Sequence, residues 1–420
     1  MGWNSWDCFA TTVTEAQILA EAGVMKEKLA AHGWNLITVD IQWYEPNATG
    51  FDYRKDAKLS MDEWGRLMPA TNKFPSAADS KGFKPLADHV HSLGLKFGVH
   101  LMRGIPRQAV AAKMPVKGTG FTAADIANTR DICQWNGDMY GVDMSKPGAQ
   151  EYYDSVFEQF ARWGIDFVKV DDLSRPYHKA EIEAIRKAID HAGRPIVFST
   201  SPGATPVNEG QHISIHANMW RISDDFWDKW PLLLEQFDRL RDWTPWRGPG
   251  HYPDADMLPI GVLQMGKNRT HFTHDEQFSL LTLWSIAQSP LILGADLTKL
   301  DSFTLSLLTN DAVIAVNQSG EHSRELFHHD GYYAWASETP GSKDKYLAVF
   351  NTRDKMDDSA TSPAPGADGV AVPVQLSKFD LTRVKNIQNL WTHEDLGPFT
   401  NEFAPVINYH GAGLYRVSPN

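Results

Sequence analysis

The chain has 420 residues, 42% of them hydrophobic and 22% charged, an ordinary globular balance that excludes a disordered or fibrous protein. With 40 basic and 52 acidic side chains its net charge is −12, which disfavours nucleic acid and anionic membranes as partners. The most apolar stretch, Leu280 to Leu297, is interrupted by Gln288, Ser289, Pro290 and Asp296, so no transmembrane helix is expected.

In chain order, a capping box of Thr14 and Gln17 opens a helix running to about Ala31, with Ile18, Met25 and Leu29 on one face and Gly33 closing it. The apolar run Asn35 to Asp40 follows. A second helix, about Phe83 to Leu93, precedes the run Leu95 to His100. A third starts near Pro147, ends at Gly164 and leads into Ile165 to Asp171. A fourth carries Ile182, Ile185 and Ile189, ends at Gly193 and leads into Pro195 to Ser199. Helix, glycine, buried strand and polar residue in succession is the signature of parallel βα units. Further strands are expected at Asn218 to Ile222, at Pro290 to Leu293 after a helix capped by Thr273 and Glu276, at the N-terminus and before Asp254. Eight such units favour a closed (β/α)8 barrel over residues 1–317. No Gly-x-Gly-x-x-Gly follows a strand, which weakens a dinucleotide-binding sheet. Beyond Asn317, short runs at Tyr332 to Ala336, Tyr346 to Phe350 and Gly413 to Val417 alternate with turn residues, and predict an antiparallel β-sandwich domain over 318–420. Ser359 to Gly369 reads as a loop.

Active sites on such barrels lie at the C-terminal ends of the strands. The polar residues expected there are Asp40, His100, Lys169, Asp171, Asp172, Ser199, Ser201, Arg221, Asp224, Asp225, Asp254 and Asp256. Carboxylates dominate, and two carboxylates flanking a scissile bond are what glycoside hydrolysis requires. Individually, each Asp could equally be a helix N-cap. Asp171 stands apart, because strand alternation puts Lys169 on its face, and a buried cation keeps a carboxylate ionised. The 15 Trp fit either sugar-stacking faces or an aromatic core.

The segments Met1 to Trp6, Val168 to Asp171, Trp220 to Asp225 and Asp254 to Met257 resemble, in order and spacing, the motifs of glycoside hydrolase family 27, the α-galactosidase family. The resemblance spans nearly the whole barrel and extends to the trailing β domain. It implies a retaining exo-glycosidase acting on a carbohydrate without metal or organic cofactor. It further implies Asp171 as nucleophile and Asp225 as general acid/base, with Asp224 the nearest misassignment. Lys169 and Arg221 match sugar-orienting positions, Trp6 a wall packing on the sugar, Asp40 a carboxylate holding ring hydroxyls, and Asp256 a neighbour of the acid/base.

Departures from the family pattern bear on specificity. The usual Asp-Asp pair after strand two is Asp40-Ile41, followed by Gln42 and Trp43. The lost carboxylate normally binds the exocyclic O6, and a buried hydroxyl without a partner costs about 1–3 kcal/mol. β-L-Arabinopyranose is D-galactopyranose without that hydroxymethyl group, so the β-L-arabinopyranosidase branch of the family is expected, with α-galactosides cleaved more slowly. The alternative is a genuine α-galactosidase in which O6 finds another partner and Ile41 only packs. Ser201 and Ala204, where α-galactosidases carry Glu and a larger residue, resemble the α-N-acetylgalactosaminidase branch. His100 replaces a family Tyr, and the run from His100 through Arg103 to Gly104 is expected in the pocket wall without assigned roles, with Ile41 and Trp43 also lining the substrate.

Two other classes compete. A metal-dependent hydrolase would use His89 with His91, or His212 with His216. The first pair diverges on a helix, and the second precedes a strand without an obvious carboxylate partner. A non-catalytic carbohydrate-binding protein would lack a catalytic carboxylate, and both are present. Cys8 and Cys133 allow one disulfide at most, and sequence does not pair them. No signal peptide is visible, although relatives usually begin some residues earlier. Localisation therefore stays open, a secreted or periplasmic protein being compatible, as is a homo-oligomer.

Overall fold

The computed structural model describes residues 1–355 and 369–420. Its first 300 residues contain eight parallel strands: β1 (Gly2–Asn4), β2 (Leu36–Val39), β3 (Lys96–Met102), β4 (Phe167–Asp171), β5 (Val197–Thr200), β6 (Met219–Arg221), β7 (Tyr252–Asp254) and β8 (Ile292–Leu293). Each pairs with its successor as far as β7, and β1 also pairs with β8 through Gly2 opposite Ile292. The gap between β7 and β8 is spanned by Leu258, which bridges Leu293; its N–H donates to the Ile292 carbonyl, and the Gly294 N–H donates to its own. The sheet is thereby closed, as a (β/α)8 barrel requires. Its strands are apolar runs buried along their length, β2 at all four residues.

The intervening helices include α1 (Glu15–Val24), α2 (Lys84–Ser92), α3 (Ala149–Trp163), α4 (Lys179–His191) and α5 (Gly210–His216). The Thr14–Gln17 capping box starts α1 as expected. Its far end is not one continuous helix to Ala31: a wide turn over Met25–Leu29 keeps both of those side chains buried, and a tight turn over Ala30–His32 ends in Gly33 at φ 90°. Between β3 and α3 the chain forms a small antiparallel sheet from Ile105–Pro106, Ala127–Asn128 and Met139–Val142. Gly104 starts it with φ 96°, at a place where any Cβ would collide with the Tyr140 carbonyl.

Packing groups the chain into two compact units. One comprises Met1–Asp225, Gly248–Arg269 and Ile292–Leu300; the other comprises Phe226–Arg247, Thr270–Leu291 and Asp301–Asn420. The texture boundary at 317/318 follows the chain, whereas packing gathers α6 (Trp230–Trp243) and α7 (His274–Ala287) with the trailing strands. In that second unit β9 (Glu321–His329), β10 (Tyr332–Glu338), β11 (Lys345–Asn351), β12 (Arg383–Asn389), β13 (Phe399–Thr400) and β14 (Gly411–Pro419) form an antiparallel sheet of order β9-β10-β11-β14-β12-β13. Alternation along β10 divides its side chains between two faces. Ala334 and Ala336 join an apolar cluster with Val374, Phe403 and Ile407, contributed by two short ribbons, Gly369–Ala371 with Val406–Asn408 and Val374–Gln375 with Glu402–Phe403. Tyr333 packs on Phe237 of α6 at 4.4 Å between ring centres. The loop expected at Ser359 to Gly369 lies outside the described residues except for Gly369, which opens a ribbon strand.

Candidate active site

The mouth of the barrel is built around β4. Lys169 and Asp171 alternate onto one face, and the Lys169 Nζ lies 2.9 Å from Asp40 Oδ2 and 4.0 Å from Asp171 Oδ1. Asp40, just past β2, also accepts from the Asn4 amide at 2.7 Å. His100 on β3 is in register with Lys169, and its Nε2 sits 2.9 Å from Asp171 Oδ2. Burial by itself would raise the Asp171 carboxyl, but Lys169, His100 and Arg221 outweigh it and hold it below the usual carboxylate range. Burial likewise opposes charge on Lys169, and Asp171, Asp40 and Asp256 more than restore it. Asp171 Oδ1 is buried and has no hydrogen-bond partner among the described residues. The backbone N–H of Arg103 donates to the Asp171 carbonyl at 3.0 Å, and the Arg103 side chain grips Asp172, Asp131 and Glu181.

The opposite wall comes from β6 and β7. Arg221 is buried, with Nη2 2.8 Å from Asp256 Oδ2 and 3.3 Å from Asp225 Oδ1, while Nη1 donates to Ser201 Oγ at 3.3 Å. The Asp225 side chain is 57% exposed. Its neighbour Asp224 turns outward into an ion pair with Arg175, so the two adjacent carboxylates have different surroundings. Asp254 accepts from the Asp256 N–H, and burial together with the Asp256 charge pushes its carboxyl up to about 7. Below the mouth, Lys169, Arg221, Asp254 and Asp256 border a cavity of about 20 Å³, room for about one water.

Trp6 stacks on Tyr53 at 6.1 Å and meets Phe51 edge-on at 5.4 Å. Ile41 is buried beside Asp40, its N–H donating to Asp40 Oδ1. Trp43 is fully buried; its indole donates to the His100 carbonyl and its ring packs on Phe83 and Trp163.

Several residues of the site carry no sequence motif that flagged them. Asp7, one place after Trp6, is buried with Oδ2 unpartnered, and burial and Asp256 push its carboxyl well up. Tyr53 is another; burial and the charges of Asp171, Asp40 and Asp225 keep its phenol protonated.

Among the described residues two clusters have metal-ligand composition, and neither contains Asp171 or Asp225. Asp131, His178 and Glu181 surround Arg103, which already bonds both carboxylates. The other corrects one point of the expectation for His212 and His216: they lie four apart on α5 and precede β6 as expected, but a carboxylate partner exists, Glu183 at 3.1 Å from His212 Nε2. His91 is engaged with Asp166 at 2.8 Å. Cys8 and Cys133 are both buried free thiols. Among the described residues no helix is long and apolar enough to cross a membrane.

The family described as Melibiase_2, alpha galactosidase A, matches residues 140–319. Alpha-galactosidase 2 of Arabidopsis thaliana is 27% identical over 100% of this chain and 89% of its own. The crystal structure of a β-L-arabinopyranosidase of glycoside hydrolase family 27 from Geobacillus stearothermophilus is 46% identical, with a TM-score of 0.95 over 100% of this chain and 96% of its own. A Bacillus halodurans structure provisionally named an α-N-acetylgalactosaminidase is 43% identical, with a TM-score of 0.88 over 100% and 97%. With the barrel, the motifs and these relatives in agreement, the chain belongs to glycoside hydrolase family 27 and is a glycosidase.

Proposed function

We propose that this glycosidase releases terminal β-L-arabinopyranosyl residues, and α-D-galactopyranosyl residues more slowly, by double displacement with retention of configuration. Asp171 attacks the anomeric carbon with its unpartnered Oδ1 while Asp225 donates a proton to the departing oxygen. Asp225 then takes a proton from the water that cleaves the glycosyl-enzyme. The surroundings of the two groups support this division of labour. Asp171 is buried among Lys169, His100 and Arg221, which favour its anion, whereas Asp225 is half open to solvent, where it exchanges protons between steps. Arg221 lies beside Asp225 and Asp256, and its charge bears on Asp171 as well. Asp40 and Lys169 serve the ring hydroxyls, Trp6 its apolar face, and Ser201, His100 and Asp256 complete the wall.

The observation that carries the sugar preference is Ile41, an apolar side chain buried beside Asp40 where the α-galactosidase pattern has a second carboxylate. The 46% identical relative that acts on β-L-arabinopyranosides supports the same reading. The decisive measurement is kcat/KM for aryl β-L-arabinopyranoside, α-D-galactopyranoside and α-N-acetylgalactosaminide, in wild type and Ile41→Asp. Wild type should prefer the pentoside. The Asp variant should gain about tenfold on the galactoside relative to the pentoside, the worth of one buried hydroxyl partner. A wild-type galactoside preference that Ile41→Asp leaves unchanged refutes the specificity. The small residues Ser201 and Ala204, with the 43% identical relative, favour a second reading, α-N-acetylgalactosaminidase, and hydrolysis led by the acetamido substrate would establish it instead.

A further inference from the structure

We infer that Tyr53 and Trp135 form a binding site for the leaving group, shaped for a second pyranose ring just outside the pocket that holds the released sugar. This rests on the glycosidase reading above and adds where the rest of the substrate goes. The observation is a continuous run of aromatic faces. Trp6 and Tyr53 are nearly parallel, 10° between planes with centres 6.1 Å apart, and Tyr53 meets Trp135 at 5.4 Å and 48°. The run starts at the pocket wall, passes the half-buried Tyr53, whose phenol feels Asp171, Asp40 and Asp225, and ends at Trp135, which is 38% exposed.

The loop that presents Trp135 is held on both sides. Before it, Asp131 is paired with Arg103 at 2.9 Å and Cys133 is buried. After it, the Asn136 side chain accepts from the Asp138 N–H, and the Asp138 carboxylate accepts from Gln42 at 2.6 Å and Tyr44 at 3.1 Å. A large apolar side chain left open to water on so fixed a loop is ready to bind without an ordering cost. A pyranose has a flat face of polarised C–H groups that suits the electron-rich face of an indole or phenol. The acidic surroundings of the mouth disfavour an anionic leaving group, which leaves a neutral sugar as the occupant.

The test uses the full chain and whichever glycone wild type cleaves. Trp135→Ala and Tyr53→Leu are compared with wild type on a disaccharide, on a 4-nitrophenyl glycoside and on the glycosyl fluoride, and free monosaccharide is titrated as an inhibitor. The expected result is that kcat/KM on the disaccharide falls by about three- to tenfold in Trp135→Ala, the range for losing one aromatic contact. The loss on the fluoride, whose leaving group is one atom, should be much smaller, and monosaccharide inhibition should hold. Equal losses on disaccharide and fluoride, or none on either, overturn the inference. A loss confined to the nitrophenyl glycoside overturns the assignment to a sugar. A wild type that hydrolyses none of them fails the underlying reading, and does so before any variant is compared.

Discussion

Replacing Lys169 by Met removes one cation from between Asp40 and Asp171 while keeping an apolar stem of similar length. Two unit charges 4.0 Å apart, the Nζ to Asp171 Oδ1 separation, attract by about 4 kcal/mol at an effective dielectric constant of about 20. That corresponds to about a thousandfold in the ionisation constant of the carboxyl. His100 at 2.9 Å from the other oxygen, together with Arg221, remains and recovers part of it. The sign follows from the role. Without Lys169 the proton is held more tightly, so Asp171 is neutral at pH values where wild type is anionic, and activity is lost on the acid side. The acid limb of the kcat/KM profile should move up by about one to two pH units, with the deficit shrinking as pH rises. The assay is a pH series with a dinitrophenyl glycoside, whose departure needs little help from an acid. A loss equal at every pH, with the limb in place, would refute the claim that Lys169 tunes the nucleophile and leave it a role in binding alone.

The acid/base assignment separates the adjacent carboxylates. Asp225→Asn should cost about a hundredfold or more in kcat/KM on glycosides with poor leaving groups and far less on activated ones, whereas Asp224→Asn, changing a surface pair with Arg175, should stay close to wild type on both. The opposite pattern would reverse the assignment. Asp254 gives a stability test. Burial and the Asp256 charge push its carboxyl up to about 7 in the fold, against about 3.9 in an unfolded chain, so ionisation increasingly destabilises the native state as pH rises between those values. Asp254→Asn escapes that cost. Its Tm relative to wild type should climb from pH 4 to pH 8, by an equivalent of at most about 4 kcal/mol, and a pH-independent difference would disprove it.

What could be read from the sequence was what repeats locally. The capping boxes at Thr14 and Thr273 are both made, since each needs only two side chains three residues apart. Lys169 and Asp171 share a face because strand alternation leaves no other arrangement. A tryptophan next to site residues, such as Trp43, looks the same in sequence whether it faces a sugar or the core, and its contacts with Phe83 and Trp163, 40 and 120 residues away, follow from no local spacing. Sequence places Arg103 in the pocket wall without a role and does not single out Asp138; their partners Glu181 and Gln42 are distant in sequence, and no spacing rule connects them. Glu183 was hidden from His212 because α4 and α5 meet only once folded.

The two helices α6 and α7 carry a consequence for biosynthesis. Both are complete by residue 287, yet Phe237 rests on Tyr333 and Phe350, the Ser279 hydroxyl donates to the His410 carbonyl, and the Trp391 indole donates to Thr282. A ribosome that has just released α7 has therefore made two apolar helix faces but none of the sheet that shelters them. Their ordering waits for the final hundred residues, and the nascent polypeptide carries that exposed surface throughout the interval, a window in which chaperones would be expected to act.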